Sequence, residues 1–114
     1  MHEMGIAGSV LDAVRIEAAR FPGARAKRVG LRIGEWAGVD IESLRFCLEA
    51  LAARTDLSDL GIEIDYCERK NRCPACEFEF AVRNYEIACP HCGSGDTSAV
   101  SGTELDIAYV ELED

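Results

Sequence analysis

Cys73-Pro74-Ala75-Cys76 and Cys89-Pro90-His91-Cys92, with twelve residues between them, form the stretch on which the fold turns. Each Cys-x-x-Cys sets two thiolates on one tight turn. Two such turns facing each other close a tetrahedron of four sulfurs, a shell suited to Zn(II), which has no ligand-field preference to oppose it. Four cysteines leave no coordination position for water, so the spacing predicts a structural zinc rather than a catalytic one. A redox Cys-x-x-Cys would account for one pair and leave the other unexplained. His91, inside the second turn, reads as a solvated turn residue or as an alternative metal ligand.

Outward from the cysteines, residues 69–102 carry few aliphatic side chains. Structural zinc in short peptides contributes about 10–16 kcal/mol of apparent binding energy, enough to fold a segment without a core. The pattern changes on both sides. Upstream, Ile62, Ile64 and Tyr66 alternate with Glu63, Asp65 and Cys67, the period of a strand. Downstream, Thr103 to Glu113 has Leu105, Ile107 and Tyr109 on one face and Ala108, Val110 and Leu112 on the other. That predicts a strand covered on both sides for part of its length, or one that changes face at a bulge.

Further upstream, Ile41, Leu44, Leu48 and Leu51 mark an amphipathic helix behind Asp40, with Phe46 and Cys47 broadening its apolar face. Val29, Leu31 and Ile33 alternate with Arg28, Gly30 and Arg32 as another strand. Met4, Ala7, Leu11, Val14, Ala18 and Phe21 fall on one face of a helix that starts almost at the first residue and stops at Pro22-Gly23. The expected fold is α+β: a small three-stranded sheet packed with two helices, and an inserted zinc-ribbon-like module. Residues 1–68 and 103–114 are read as the main domain and 69–102 as the insert. Cys47 and Cys67 stand outside the cage, as a core residue and a strand residue.

Charge narrows the function. The chain has 114 residues and a net charge of -9, from 21 acidic and 12 basic side chains. Nucleic-acid binding rests on lysine and arginine neutralising phosphates, and this balance has the wrong sign. Within the insert Arg69, Lys70, Arg72 and Arg83 only balance Glu77, Glu79, Glu86 and Asp96. Asp12 and Glu17 interrupt the first twenty residues, unlike a signal peptide, and no stretch approaches the ~20 apolar residues of a membrane span. A cytoplasmic protein is expected, where clustered thiols are metal ligands rather than disulfides. No nucleophile–base pair or open metal site is visible, so an enzyme is not expected.

A second motif lies at the start, Met1-His2-Glu3. A bulky second residue is expected to keep the initiator methionine in place. The α-amine, the His2 amide nitrogen and His2 Nδ1 would then close two adjacent chelate rings. Three nitrogens in one plane suit Ni(II) or Cu(II), which favour tetragonal nitrogen sites. The plain reading of His2 is a frayed terminal residue, and of Glu3 a favourable acid at a helix N-terminus. Position alone does not separate these.

Taken together, the chain resembles the HypA/HybF family of hydrogenase nickel-incorporation proteins along essentially its whole length. The marks are Met1-His2-Glu3, Ile33-Gly34-Glu35 closing a strand, Asp40 opening the second helix, the paired cysteine knuckles and the last strand after Gly102. The resemblance implies a nickel metallochaperone with a zinc module held by Cys73, Cys76, Cys89 and Cys92. Its cargo would be Ni(II), loaded with a HypB-type GTPase into the precursor of the [NiFe]-hydrogenase large subunit. In some organisms urease and its accessory proteins would be served as well. By matching position, His2 is the principal nickel ligand, Met1 and Glu3 support it, and Asp40 is either a contributor or the N-cap of its helix. The alternative is a zinc-ribbon adaptor that acts through protein contacts and binds no nickel.

Overall fold

The computed structural model describes residues 2–114. In chain order the elements are α1 (Glu3–Ala19), β1 (Arg25–Gly34), α2 (Ile41–Ala52), β2 (Gly61–Cys67), β3 (Lys70–Arg72), β4 (Glu79–Ala81), β5 (Ser98–Ser101) and β6 (Leu105–Glu113). They form two helices and two three-stranded sheets, ordered β2-β1-β6 and β4-β3-β5, an α+β architecture as expected. The chain divides into two compact units. One comprises residues 1–32, 38–65 and 106–114; the other comprises 33–37 and 66–105.

The first unit is built on the hydrophobic stripe of each helix. Ala7, Val10, Leu11 and Val14 of α1 are buried, as are Leu44, Leu48 and Ala52 of α2. The two helices start at the same end: Glu3 hydrogen-bonds the Asp40 backbone at 3.0 Å, and Arg15 reaches Asp56, just past α2, at 3.6 Å. Val29 and Leu31 of the central strand β1 complete the core. Burying each of the valine and leucine side chains contributes about 1.5–3 kcal/mol. On β1 and β6 the ion pairs Arg25–Glu113, Arg28–Glu111 and Arg32–Asp106 run in opposite numerical order, so these strands are antiparallel. Gly61 faces the Lys27 carbonyl, and the Cys67 carbonyl accepts from Glu35 N–H at 2.8 Å. β1 and β2 therefore run parallel, which requires a crossover such as α2.

Two readings of the sequence are corrected. Phe46 does not broaden the buried face of α2; it is 69 % exposed. At roughly 100° per residue it points about 160° away from Leu44 and Leu48. On α1 the buried set includes Val10, while Met4 and Phe21 are exposed. Phe21 falls past the helix end, where Arg20 is the C-cap. β6 is an edge strand with no fully buried residue; its first half is largely exposed, and residues 110–113 are half-buried on both faces, so cover on both sides extends over part of its length.

In the second unit β3 pairs antiparallel with β4 (Lys70 opposite Ala81, Arg72 opposite Glu79) and with β5, where the register shifts between Lys70 and Asn71. The sequence assigned no strands here, because elements of three or four residues are too short to display a period.

Candidate metal centres

The turns that carry the cysteines are built alike. In the first, Cys73 O accepts from Glu77 N–H at 2.7 Å, and Cys73 N–H donates to Phe78 O at 2.9 Å. In the second, Cys89 O accepts from Gly93 N–H and Cys89 N–H donates to Ser94 O, both at 2.8 Å. Glu77 and Gly93 occupy the same place in the two turns, and both have left-handed backbones, φ 64° and 81°. The equivalent hydrogen bonds bend each Cys-x-x-Cys so that its sulfurs face those of the other turn.

The four Sγ atoms all lie within 4.8 Å of one another, with Cys73–Cys92 at 3.5 Å and Cys76–Cys89 at 3.6 Å. A tetrahedron with Zn–S bonds of about 2.3 Å has edges of about 3.8 Å, so the donor set fits zinc in both type and size. Cys73 and Cys89 are buried, and Cys92 is exposed. Burial opposes ionisation of Cys89. The N–H groups of Cys92 and His91 and the sulfurs of Cys76 and Cys92 outweigh it, bringing the thiol down to about 6. At Cys76 the Phe78 N–H favours the thiolate, but burial and the facing sulfurs push it up to about 12. One anion among these sulfurs thus hinders the next, as expected of a site whose charge is completed by a cation. His91 is exposed, its ring 5.5 Å from that of Phe78.

Behind the cage a buried polar chain ties the unit together. Asn71, 1 % exposed, accepts from Arg69 Nε at 2.8 Å and donates to Thr97 Oγ1 at 3.0 Å. Thr97 Oγ1 in turn donates to the carbonyl of Ile87, two residues before Cys89. The Arg69 guanidinium lies 4.0 Å over Trp36, whose ring is 5.4 Å from that of Tyr85. Glu35 accepts the Arg69 N–H at 2.9 Å. Gly34 is packed so closely that a Cβ there would come within 2.2–2.5 Å of the Gly102–Thr103 backbone. Reading the sequence missed Asn71 and Thr97, which lie 26 residues apart with no local pattern linking them.

The N-terminal residues lie in the first unit. Met1 falls outside the described residues. His2 is exposed and stands at the head of α1 with no side-chain capping bond; its carbonyl accepts from Ile6 N–H at 3.1 Å. Asp40 caps α2, its Oδ1 accepting from Ser43 N–H at 3.0 Å, while its own N–H donates to Glu3 Oε2 at 3.0 Å. That backbone bond is the main reason the Glu3 carboxyl lies below its ordinary value of 4.5. Glu3, which follows His2 in the chain, and Asp40 are thus neighbours across 37 residues, whereas the four cysteines are the grouped metal donors among the described residues and His2 is not drawn into such a group.

A four-sulfur cage on a small α+β frame defines a metal-binding protein. The family model described as hydrogenase/urease nickel incorporation, metallochaperone, HypA matches residues 1–112, and the chain belongs to the HypA family of nickel metallochaperones and hydrogenase maturation factors. The hydrogenase maturation factor HypA of Prosthecochloris aestuarii is 38 % identical, the match covering 99 % of this chain and 100 % of that protein. That of Chlorobium limicola is 40 % identical, over 100 % of this chain and 98 % of its own length. The fold is shared with the solution structure of the Ni metallochaperone HypA from Helicobacter pylori, at 20 % identity and a TM-score of 0.65, covering 97 % of both chains.

Proposed function

We propose that this chain takes up Ni(II) at its N-terminus and hands it, with a HypB-type GTPase, to the precursor of the [NiFe]-hydrogenase large subunit, and to urease where that enzyme is present. The nickel site is formed by the Met1 amine, His2 as principal ligand, and Glu3, with Asp40 contributing. Residues 1–68 and 103–114 make up the nickel-binding domain. The inserted residues 69–102 make up the zinc-binding one, held by Cys73, Cys76, Cys89 and Cys92. Zinc, when bound there, supplies structural rather than chemical support.

The observation that carries this reading is the Glu3–Asp40 hydrogen bond. It anchors the residue after His2, whose imidazole is exposed, to the head of α2. A partner can replace the ligands of such a site one at a time. Metal uptake displaces protons from the amine, the amide and the imidazole, so affinity falls on acidification.

Calorimetric nickel titration of the chain with its native start tests the site. Substituting His2→Ala, or acetylating the amine, is expected to weaken nickel binding by about 100-fold or more, as loss of a chelating ligand should. Zinc content and helical circular dichroism are expected to stay unchanged. Nickel affinity that survives both changes refutes the site and leaves the protein-interaction adaptor reading.

A further inference from the structure

Asn71 and Ile87 stand at the same place relative to the cage: each precedes the leading cysteine of its turn, Cys73 or Cys89, by two residues. Thr97 joins them. Its Oγ1 accepts from Asn71 Nδ2 at 3.0 Å and donates to the Ile87 carbonyl. The direction of this chain is fixed. Arg69 Nε can only donate, so Asn71 turns Oδ1 to it and Nδ2 to Thr97, whose one hydroxyl proton then goes to Ile87.

The two turns are built alike but anchored differently. The first lies directly between β3 and β4, with Cys73 next to Arg72 at the end of β3. The second lies between β4 and β5, in residues 82–97, outside both three-stranded sheets. The Thr97–Ile87 bond closes the neck of the loop that carries Cys89 and Cys92. The Asn71–Thr97 bond then ties that neck to β3, and so to the first turn. Asn71 is buried, where an unmade hydrogen bond is costly, and its partners on both sides hold it in place.

In a tetrahedron of sulfurs the edges spanned by the two turns are perpendicular, and in a square they are parallel. Changing one into the other rotates one turn against the other by about 90°, from the geometry that suits Zn(II) to the planar one that Ni(II) favours. We propose that Asn71 and Thr97 are positioning residues that hold the two turns crossed, so that the cage selects Zn(II) and excludes the Ni(II) that the protein carries. The carriage of nickel rests on the function proposed above; the preference of the cage does not. A protein that handles nickel beside four thiolates needs such a device, because thiolates bind either metal and only geometry separates them.

The test uses the full chain, with Zn(II) and Ni(II) alone as probes, each competed against a chelator. Sulfur-to-nickel charge-transfer absorption reports nickel in the cage and is silent about nickel held by nitrogen and oxygen at the N-terminus. Thr97→Val removes the hydroxyl at nearly constant volume. It is expected to lower the preference of the cage for zinc over nickel by about tenfold, the loss of a hydrogen-bonded group that leaves its partners unpaired. Asn71→Asp, which keeps the acceptor for Arg69 and loses the donor to Thr97, is expected to act in the same direction. Thr97→Ser keeps the hydroxyl and is expected to restore the native preference. Val82→Ala loosens the same unit away from the clamp and is expected to weaken both metals alike. A native preference in Thr97→Val, even with both metals held more weakly as in Val82→Ala, overturns the proposal, since the pair then only stabilises the unit. A serine variant no better than valine, or a native cage that takes nickel as readily as zinc, overturns it too. Native and His2→Ala chains that titrate alike with nickel would overturn the function proposed above and leave this ratio untouched.

Discussion

Glu3 couples the start of the chain to the second helix through one hydrogen bond, and its titration makes that bond measurable. With its carboxyl held below 4.5 by the Asp40 N–H, the folded protein binds the proton of Glu3 more weakly than the unfolded chain does. By linkage this contribution to stability is fully present above about 4.5, and is lost as the pH falls through the lowered folded value. The Asp40 amide proton is therefore expected to report an inflection below 4.5 by NMR. Glu3→Gln is expected to flatten it, while Asp40 still caps α2. An Asp40 amide that is indifferent to pH in the native chain would show that the tether does not form in solution. Of this pair the sequence offered each residue separately: an acid at a helix start, and an N-cap before Ile41. Their contact spans 37 positions, and no local period carries that information.

Elements were legible in proportion to their length. The ten residues of β1 and the 12 of α2 repeat their patterns often enough to be read, whereas the three residues of β3 and of β4 do not. Phe46 shows a related limit: its hydrophobicity suggests the buried face, but its angular phase sets it opposite Leu44 and Leu48. The knuckles were read as ligand spacing only, yet what shapes them is a left-handed residue four places after the leading cysteine. Gly93 meets this need without strain, and nothing lies within 4 Å of where its Cβ would be. Gly93→Ala therefore isolates the backbone cost, roughly 1–2 kcal/mol for a non-glycine residue in that region. Metal retention against a chelator is expected to fall by about tenfold. At the equivalent Glu77, the fair comparison is Glu77→Gly with Glu77→Ala. Both lose the exposed Arg72 pair, and the glycine variant is expected to be the more stable by about 1 kcal/mol. Equal retention in Gly93→Ala and the native chain would count against this account of the turns.

At the scale of the whole molecule, the question is whether the cysteine module and the helical unit depend on each other for folding. The core residues of α1, α2 and β1 bury apolar surface without any cysteine of the cage. Of the aliphatic residues between 69 and 102 only Val82 is buried, so this segment is expected to depend on a metal in the four-cysteine cage and on the polar chain through Asn71. Two spectroscopic probes divide along the same line. Both helices lie in the first unit, whereas the one tryptophan of the sequence, Trp36, lies in the second, stacked under Arg69. Chelating the metal, or substituting Cys73→Ala, is thus expected to red-shift Trp36 emission as its cover of Arg69 and Tyr85 loosens. The far-UV helical signal is expected to change little. Helical signal and Trp36 emission lost together in one transition would mean that the chain folds as a single cooperative body. The metal-stabilised module would then be part of the same core as the helices rather than an insertion within it.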